Sequence, residues 1–262
     1  MKLSLAVLLL GIVVLSGCES STEPAHDRQG EIRIFLVDRP AEYDAVNIVV
    51  TEVSVHSSDA DSTSGWIMLN DTMRTFDLLT LRNGASQILG ETLLNSGRYT
   101  QIRLKLAESC TVIVDGQTHP LEVPSGAQSG LKLNHPFDIA PNTLYELTLD
   151  FDAARSIHVT GNDRYKLSPV IRVVANQVSG TISGTIDPAS SRAAVFTTVG
   201  ADTVSTFADT STGAFRLVAL PANNYAVHIV PMVLTFRDTT LTGVPVAAGQ
   251  DTGLGTITLS LR

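Results

Sequence analysis

Asp150 and Asp152 flank Phe151 in the run Leu149-Asp150-Phe151-Asp152. On an extended strand, Leu147, Leu149 and Phe151 point to one face and the two carboxylates share the other. Oxygen ligands at that spacing suit a hard cation such as calcium. The competing reading is a solvated strand face ending in an Asp-rich turn, or a carboxylate paired with nearby Arg155; no repeated Asp-x-Asp spacing accompanies the pair. The loop Pro124-Ser125-Gly126-Ala127-Gln128-Ser129-Gly130 offers small residues and free backbone amides that can cradle an anion or a sugar hydroxyl, or simply connect two strands. It lacks both the Gly-Lys-Ser/Thr ending of a phosphate loop and the Gly-x-Ser-x-Gly of a nucleophile elbow. None of the six histidines (His26, His56, His119, His135, His158, His228) sits at metal-ligand spacing from another. A Ser–His–Asp triad assembles in space, so an envelope hydrolase stands as the weakest reading, but nothing marks a nucleophile and no catalytic residue is assigned. Trp66, the only tryptophan in a chain with 5% aromatic residues, is expected to pack in a core.

The elements that would hold these residues read as strands. From Gly30 onward, segments rich in Val, Ile, Leu, Thr and Tyr alternate with Gly, Asn, Asp and Pro clusters. The spacing predicts strands over residues 32–37, 45–56, 99–106, 111–114, 119–123, 131–137, 144–151 and 165–174. Further strands follow over 178–186, 193–199, 204–208, 215–219, 225–230 and 256–261. Asp115-Gly116 is a two-residue hairpin signal, because a type I′ turn needs positive φ at both positions. The one weak helical signal spans Leu78 to Leu94, where Gly84 and Gly90 interrupt it. Strands every ten residues or so, with no intervening helices, indicate β-sandwiches and not a parallel α/β sheet.

The amino terminus carries chemistry of another kind. Lys2 precedes an apolar run from Leu3 to Val14 that is short for a bilayer span, and Leu15-Ser16-Gly17-Cys18 resembles the lipobox of a bacterial lipoprotein signal. The small residues let a peptidase approach the backbone, and the Cys18 thiol is the nucleophile that accepts diacylglycerol. Residues 1–17 are then the signal peptide and residues 18–29, polar and aperiodic, a flexible tether. With 18 basic and 26 acidic residues, a net charge of −8 argues against nucleic acid and against electrostatic attachment to an anionic membrane. Attachment would have to come from acyl chains on Cys18. Lipidation takes one of two cysteines, leaving Cys110 without a disulfide partner and expected as a buried structural thiol.

Residues 30–175 resemble a bacterial lipoprotein domain known as domain of unknown function 4382. The resemblance is carried by Val37-Asp38-Arg39-Pro40, where the family usually has Asp-Ala-Pro, and by Phe76-Asp77-Leu78-Leu79-Thr80-Leu81. It continues in Ser96-Gly97-Arg98-Tyr99-Thr100-Gln101, Leu149-Asp150-Phe151-Asp152-Ala153-Ala154-Arg155 and Tyr165-Lys166-Leu167-Ser168-Pro169. It implies a lipid-anchored β-sandwich and carries no activity with it. Residues 178–262 resemble a carboxypeptidase-regulatory-like, or transthyretin-like, domain through Gly180-Thr181-Ile182, Thr212-Gly213-Ala214-Phe215 and Leu220-Pro221-Ala222-Asn223-Asn224-Tyr225. Gly213 is expected at a turn needing unrestricted φ, and Asn224 to stand in left-handed conformation for the family's glycine. Such domains are usually accessory binding or spacer modules.

The expectation is an all-β chain of two Ig-like or transthyretin-like sandwich domains behind a lipoprotein signal peptide. Its role is non-catalytic, either binding or structural, in the bacterial envelope, on the outer membrane or the periplasmic face. The membrane is the partner through Cys18, with an envelope protein or glycan as a further one. The alternative is a calcium- or carbohydrate-binding surface module, with Asp150 and Asp152 as the calcium ligands.

Overall fold

Alternation with a period of two decides the first strand: in Gln29–Asp38, Ile32, Ile34 and Leu36 are fully buried while Glu31, Arg33 and Phe35 face the other side, half-buried. The computed structural model describes residues 29–61, 64–124, 129–161, 164–176 and 179–262. The signal segment, Cys18, tether residues 18–28 and residues 125–128 of the glycine-containing loop lie outside the described residues. Thirteen strands belong to the first half: β1 (Gln29–Asp38), β2 (Ala45–Ser57), β3 (Trp66–Asn70), β4 (Arg74–Asp77), β5 (Gln87–Asn95), β6 (Gly97–Leu106) and β7 (Thr111–Val114), then β8 (Gln117–Glu122), β9 (Leu131–Ile139), β10 (Leu144–Phe151), β11 (Ile157–Thr160), β12 (Arg164–Leu167) and β13 (Ile171–Ala175). A small sheet has the order β13-β10-β1-β5, and a large one runs β11-β12-β8-β7-β2-β6-β9, with β3 and β4 also paired to β2. Their inner faces share one core, Ile34, Leu147 and Phe151 meeting Ile48, Val53 and Leu104.

β2 shows how the sequence reaches that core from both its halves. Val46, Ile48 and Val50 are buried in one phase, Val53 and Val55 in the other. The phase slips at Thr51, where the pairing with β6 jumps from Val50–Leu106 to Glu52–Lys105. This bulge turns the strand so that both valine sets face inward. The hairpin signal also holds: Val114 pairs with Gln117, and Asp115 and Gly116 have φ of 49° and 73°. Cys110 is buried, its Sγ donating to Ala107 O at 3.2 Å and accepting from Val49 N–H at 3.3 Å; burial pushes the thiol up.

Two expectations fail for identifiable reasons. The helical reading of Leu78 to Leu94 gives way to a single 3-10 turn, Leu78–Thr80, followed by strand β5. Asp77 ties that turn by accepting from Leu79 N–H, burying Leu78 and Leu79. Gly90, which had read as a helix interruption, sits in β5 where a Cβ would be 2.9 Å from Leu69 Cβ. The strand expected over 165–174 is broken at Ser168-Pro169-Val170, since proline cannot donate to a ladder; β12 stays in the large sheet and β13 crosses to the small one.

Seven strands follow: β14 (Ser179–Asp187), β15 (Ala194–Val199), β16 (Asp202–Phe207), β17 (Ala214–Pro221), β18 (Asn223–Val230), β19 (Thr239–Val246) and β20 (Asp251–Thr258). They form sheets β17-β14-β20 and β16-β15-β18-β19 around a second core that includes Ile182, Phe215, Val195 and Val227. The architecture is all-β, and both cores lie between pairs of sheets. Asn224 lies extended in β18, opposite Pro245, and not in a left-handed turn. Gly213 does have positive φ, +74°, and a Cβ there would stand 2.1 Å from Ile186 O. Gly116, at φ +73°, has open space around it. Gly116→Ala should therefore cost about 1 kcal/mol from φ alone, and Gly213→Ala about 3 kcal/mol, strain and backbone clash together. Urea unfolding of both variants checks the order.

Candidate functional site

The small sheet brings Asp150 and Asp152 beside the end of β1. Strands β1 and β10 are parallel, with Val37 opposite Asp150 and Asp38 opposite Phe151. Arg39 extends the ladder by donating its N–H to Phe151 O at 3.0 Å, and Pro40 ends it. On the other side of β10, Arg172 of β13 stands opposite Asp150.

The Arg39 guanidinium lies between the two carboxylates, with Nη2 3.2 Å from Asp150 Oδ2 and Nη1 3.2 Å from Asp152 Oδ2. Arg172 donates to the same Asp150 Oδ2 from Nη2 at 2.8 Å and Nε at 3.1 Å. Asp152 Oδ1 accepts from Arg155 N–H at 3.0 Å, capping the one-turn helix Ala153–Ser156. Ser156 Oγ donates to Asp152 O at 2.6 Å and accepts from Val170 N–H at 2.9 Å, fixing that turn against the chain entering β13. Asp38, Arg39, Asp150 and Asp152 are all buried. Two carboxylates thus face two guanidiniums at short range in a poorly solvated place, where charges persist only when paired.

Asp38 is the odd member. Its Oδ1 accepts from Ala153 N–H at 3.1 Å, while Oδ2 is buried without a partner. Burial pushes its carboxyl up to about 8; N–H groups of Ala153 and Arg39 pull against the rise, and Asp150 and Asp152 add to it. At neutral pH it is held protonated, which keeps a third negative charge out of the cluster.

Neither bland expectation for this face survives. The carboxylates are not solvated, and their cationic partners are Arg39 and Arg172. Arg155 gives Asp152 only its backbone N–H; its guanidinium reaches toward Asp202 at 3.8 Å. Among the described residues no group of three or more His, Cys, Asp or Glu is placed to hold a metal ion. Arg39 and Arg172 escaped sequence reasoning because they lie far from Asp150 along the chain. The available signal was Asp38-Arg39-Pro40, which the family resemblance had marked without a role.

The other candidates are dispersed. His56 Nε2 bonds to Asp61 O at 2.8 Å, and His228 Nδ1 to Thr240 Oγ1 at 3.1 Å. Burial pulls the His135 pKa down. Trp66 is not in the core: it is half-buried on the outer face of the large sheet, with Arg103 Cζ 4.2 Å from its ring centre and His56 edge-on at 5.0 Å. Its pairing opposite His56 puts it on that face.

The chain belongs to the family described as Domain of unknown function (DUF4382), whose sequence model matches residues 29–169, more than half of the 262 residues. No curated protein matches the chain. Among solved structures it is similar to the Bacillus anthracis TIE protein (12% identity, TM-score 0.22), covering 89% of this chain and 34% of that one, so it spans about a third of that protein. It is also similar to a mutant of the shaft pilin spaA from Lactobacillus rhamnosus GG (8% identity, TM-score 0.24, covering 90% and 97%). A third is GBS52, the minor pilin of Streptococcus agalactiae (10% identity, TM-score 0.23, covering 88% and 96%).

Arg39→Ala leaves two buried carboxylates short of a partner and should cost about 3–5 kcal/mol, whereas Arg98→Ala, which breaks an exposed pair with Asp138, should cost less than about 1 kcal/mol. Denaturant titration of both variants checks the contrast. Asp38 also sets a pH dependence. Its native form holds a proton that the unfolded chain releases above its ordinary value of 3.8, so stability falls as pH rises from there to about 8 and levels off beyond. The slope from this residue is at most about 1.4 kcal/mol per pH unit. Unfolding free energies measured across that window should flatten in Asp38→Asn, which keeps the neutral shape.

Proposed function

We propose that the chain is a lipid-anchored protein of the bacterial envelope with a non-catalytic, binding or structural role. The observation that carries the non-catalytic part is the charge cluster itself. Its carboxylates are paired with Arg39 and Arg172, Asp38 is held neutral, and all but Arg172 are buried. Such an arrangement fixes strands and leaves no base or nucleophile facing a substrate. In this reading the two guanidiniums occupy the place a calcium ion would take at Asp150 and Asp152.

The anchor rests on Leu15-Ser16-Gly17-Cys18 behind the apolar run. Among the described residues no helix is long and apolar enough to cross a membrane. Residues 178–262 act in this reading as an accessory module of carboxypeptidase-regulatory-like type, supported by the Gly213 turn and the pair of sheets around a separate core. In a bacterial host, the native chain should partition with membranes and incorporate a labelled fatty acid, and Cys18→Ala should do neither. Fractionation with metabolic labelling checks this; membrane retention of the unlabelled variant would overturn the anchor.

A further inference from the structure

A cleft lies away from the carboxylate cluster, between the two sandwiches. Arg82 and Asn83, after the Leu78–Thr80 turn, stand on one side, with Arg192, Phe207 and Met232 on the other, around about 620 Å³. That volume falls in the range of small-molecule sites. We infer that this cleft binds a small organic anion: a carboxylate on an apolar body.

The arginines point there first. Eight of those described form ion pairs with carboxylates: Arg33, Arg39, Arg98, Arg103, Arg155, Arg172, Arg216 and Arg262. Among the described residues the side chains of Arg82, Arg164, Arg192 and Arg237 have no hydrogen-bond or ion-pair partner, and of these Arg82 and Arg192, both exposed, share this one cleft. A guanidinium stays charged at any physiological pH, and its planar fork matches a carboxylate. Two carboxyl side chains also border the cleft, and neither pairs with these arginines. Glu42 is exposed, and Asp209 Oδ1 is committed to its own turn by accepting from Ser211 N–H, Thr212 N–H and Thr212 Oγ1.

The rest of the lining supplies shape. Leu79 on one side and Phe207 and Met232 on the other give apolar surface, and Met232 is half exposed within it. Asn83 and Arg192 both hold positive φ, 58° and 52°, although arginine is not a residue that favours it. Asn83 Nδ2 donates to Ala214 O at 3.2 Å, tying the two walls, while its Oδ1 is buried and unpartnered. The net charge of −8 repels anions at long range, so affinity comes from the two local arginines and falls with salt.

This names a ligand class for the binding role and rests on that reading. The test titrates benzoate, and benzamide as its uncharged counterpart, into the full chain in lipid nanodiscs, followed by saturation-transfer NMR with empty discs subtracted. Benzoate should bind at least tenfold more tightly than benzamide. The double variant Arg82→Gln/Arg192→Gln should lose at least tenfold in benzoate affinity with unchanged thermal unfolding, while Arg237→Gln, an arginine outside the cleft, should lose none. Equal binding of benzamide, no transfer at millimolar benzoate, or full affinity in the double variant would overturn the assignment. A Cys18→Ala chain that leaves the membrane yet binds benzoate normally, or the reverse, separates failure of the site from failure of the anchor.

Discussion

The small sheet depends on the Arg39 guanidinium held between Asp150 and Asp152. A buried ion pair is a poor source of net stability, because desolvating both charges offsets most of their attraction. Its value here is positional. Strands β1 and β10 are parallel and carry apolar residues on the core face, so Ile34 and Leu147 would pack acceptably in more than one sliding register. A slip by two residues keeps the apolar face inward but separates Arg39 from both carboxylates, leaving buried charge unpaired. Asp38, neutral and facing Ala153 N–H, completes the constraint without adding charge. The interaction thus specifies register more than it adds stability.

From that register the rest of the first sandwich follows. Fixing β1 against β10 places Arg172 opposite Asp150, which sets β13 as the edge beyond it. The cap of Asp152 on the turn Ala153–Ser156 then steers the chain into β11 and the large sheet. At the opposite face, β2 pairs with β3, β4, β6 and β7, and its bulge at Thr51 lets a strand of thirteen residues keep valines inward throughout. Charge fixes one sheet and apolar phase the other.

Local chemistry was legible in the sequence, and partners distant along the chain were not. Asp115-Gly116, Leu144–Phe151 and the buried Cys110 follow from turn geometry, alternation and composition, each confined to a few residues. Gln87–Asn95 was missed because Gly90 breaks its apolar pattern, and the reason for that glycine is Leu69 in another strand. The aspartates read as a water-facing pair because alternation reports one apolar face and is silent on what covers the other. Here that face is closed by Arg39, more than a hundred positions away. Trp66 followed the general preference of tryptophan for interiors, which the cations Arg103 and Lys132 over its ring override.

The same limit explains why the cleft has no sequence signature. Arg82 follows a turn in the first sandwich and Arg192 caps one in the second, and only the tertiary arrangement makes them neighbours of a common space. Among the described residues the polar ties between the sandwiches include Asn83 to Ala214 O and, outside this cleft, Arg155 toward Asp202 at 3.8 Å with both side chains about half exposed. Exposed pairs of that kind contribute about 0–1 kcal/mol. A carboxylate touching Arg82 on one wall and Arg192 on the other, both exposed, adds contacts of that same order. An occupant that needs both walls binds only where they stand in place, so occupancy of the cleft and the relative placement of the sandwiches would be linked with a strength comparable to the ties already there.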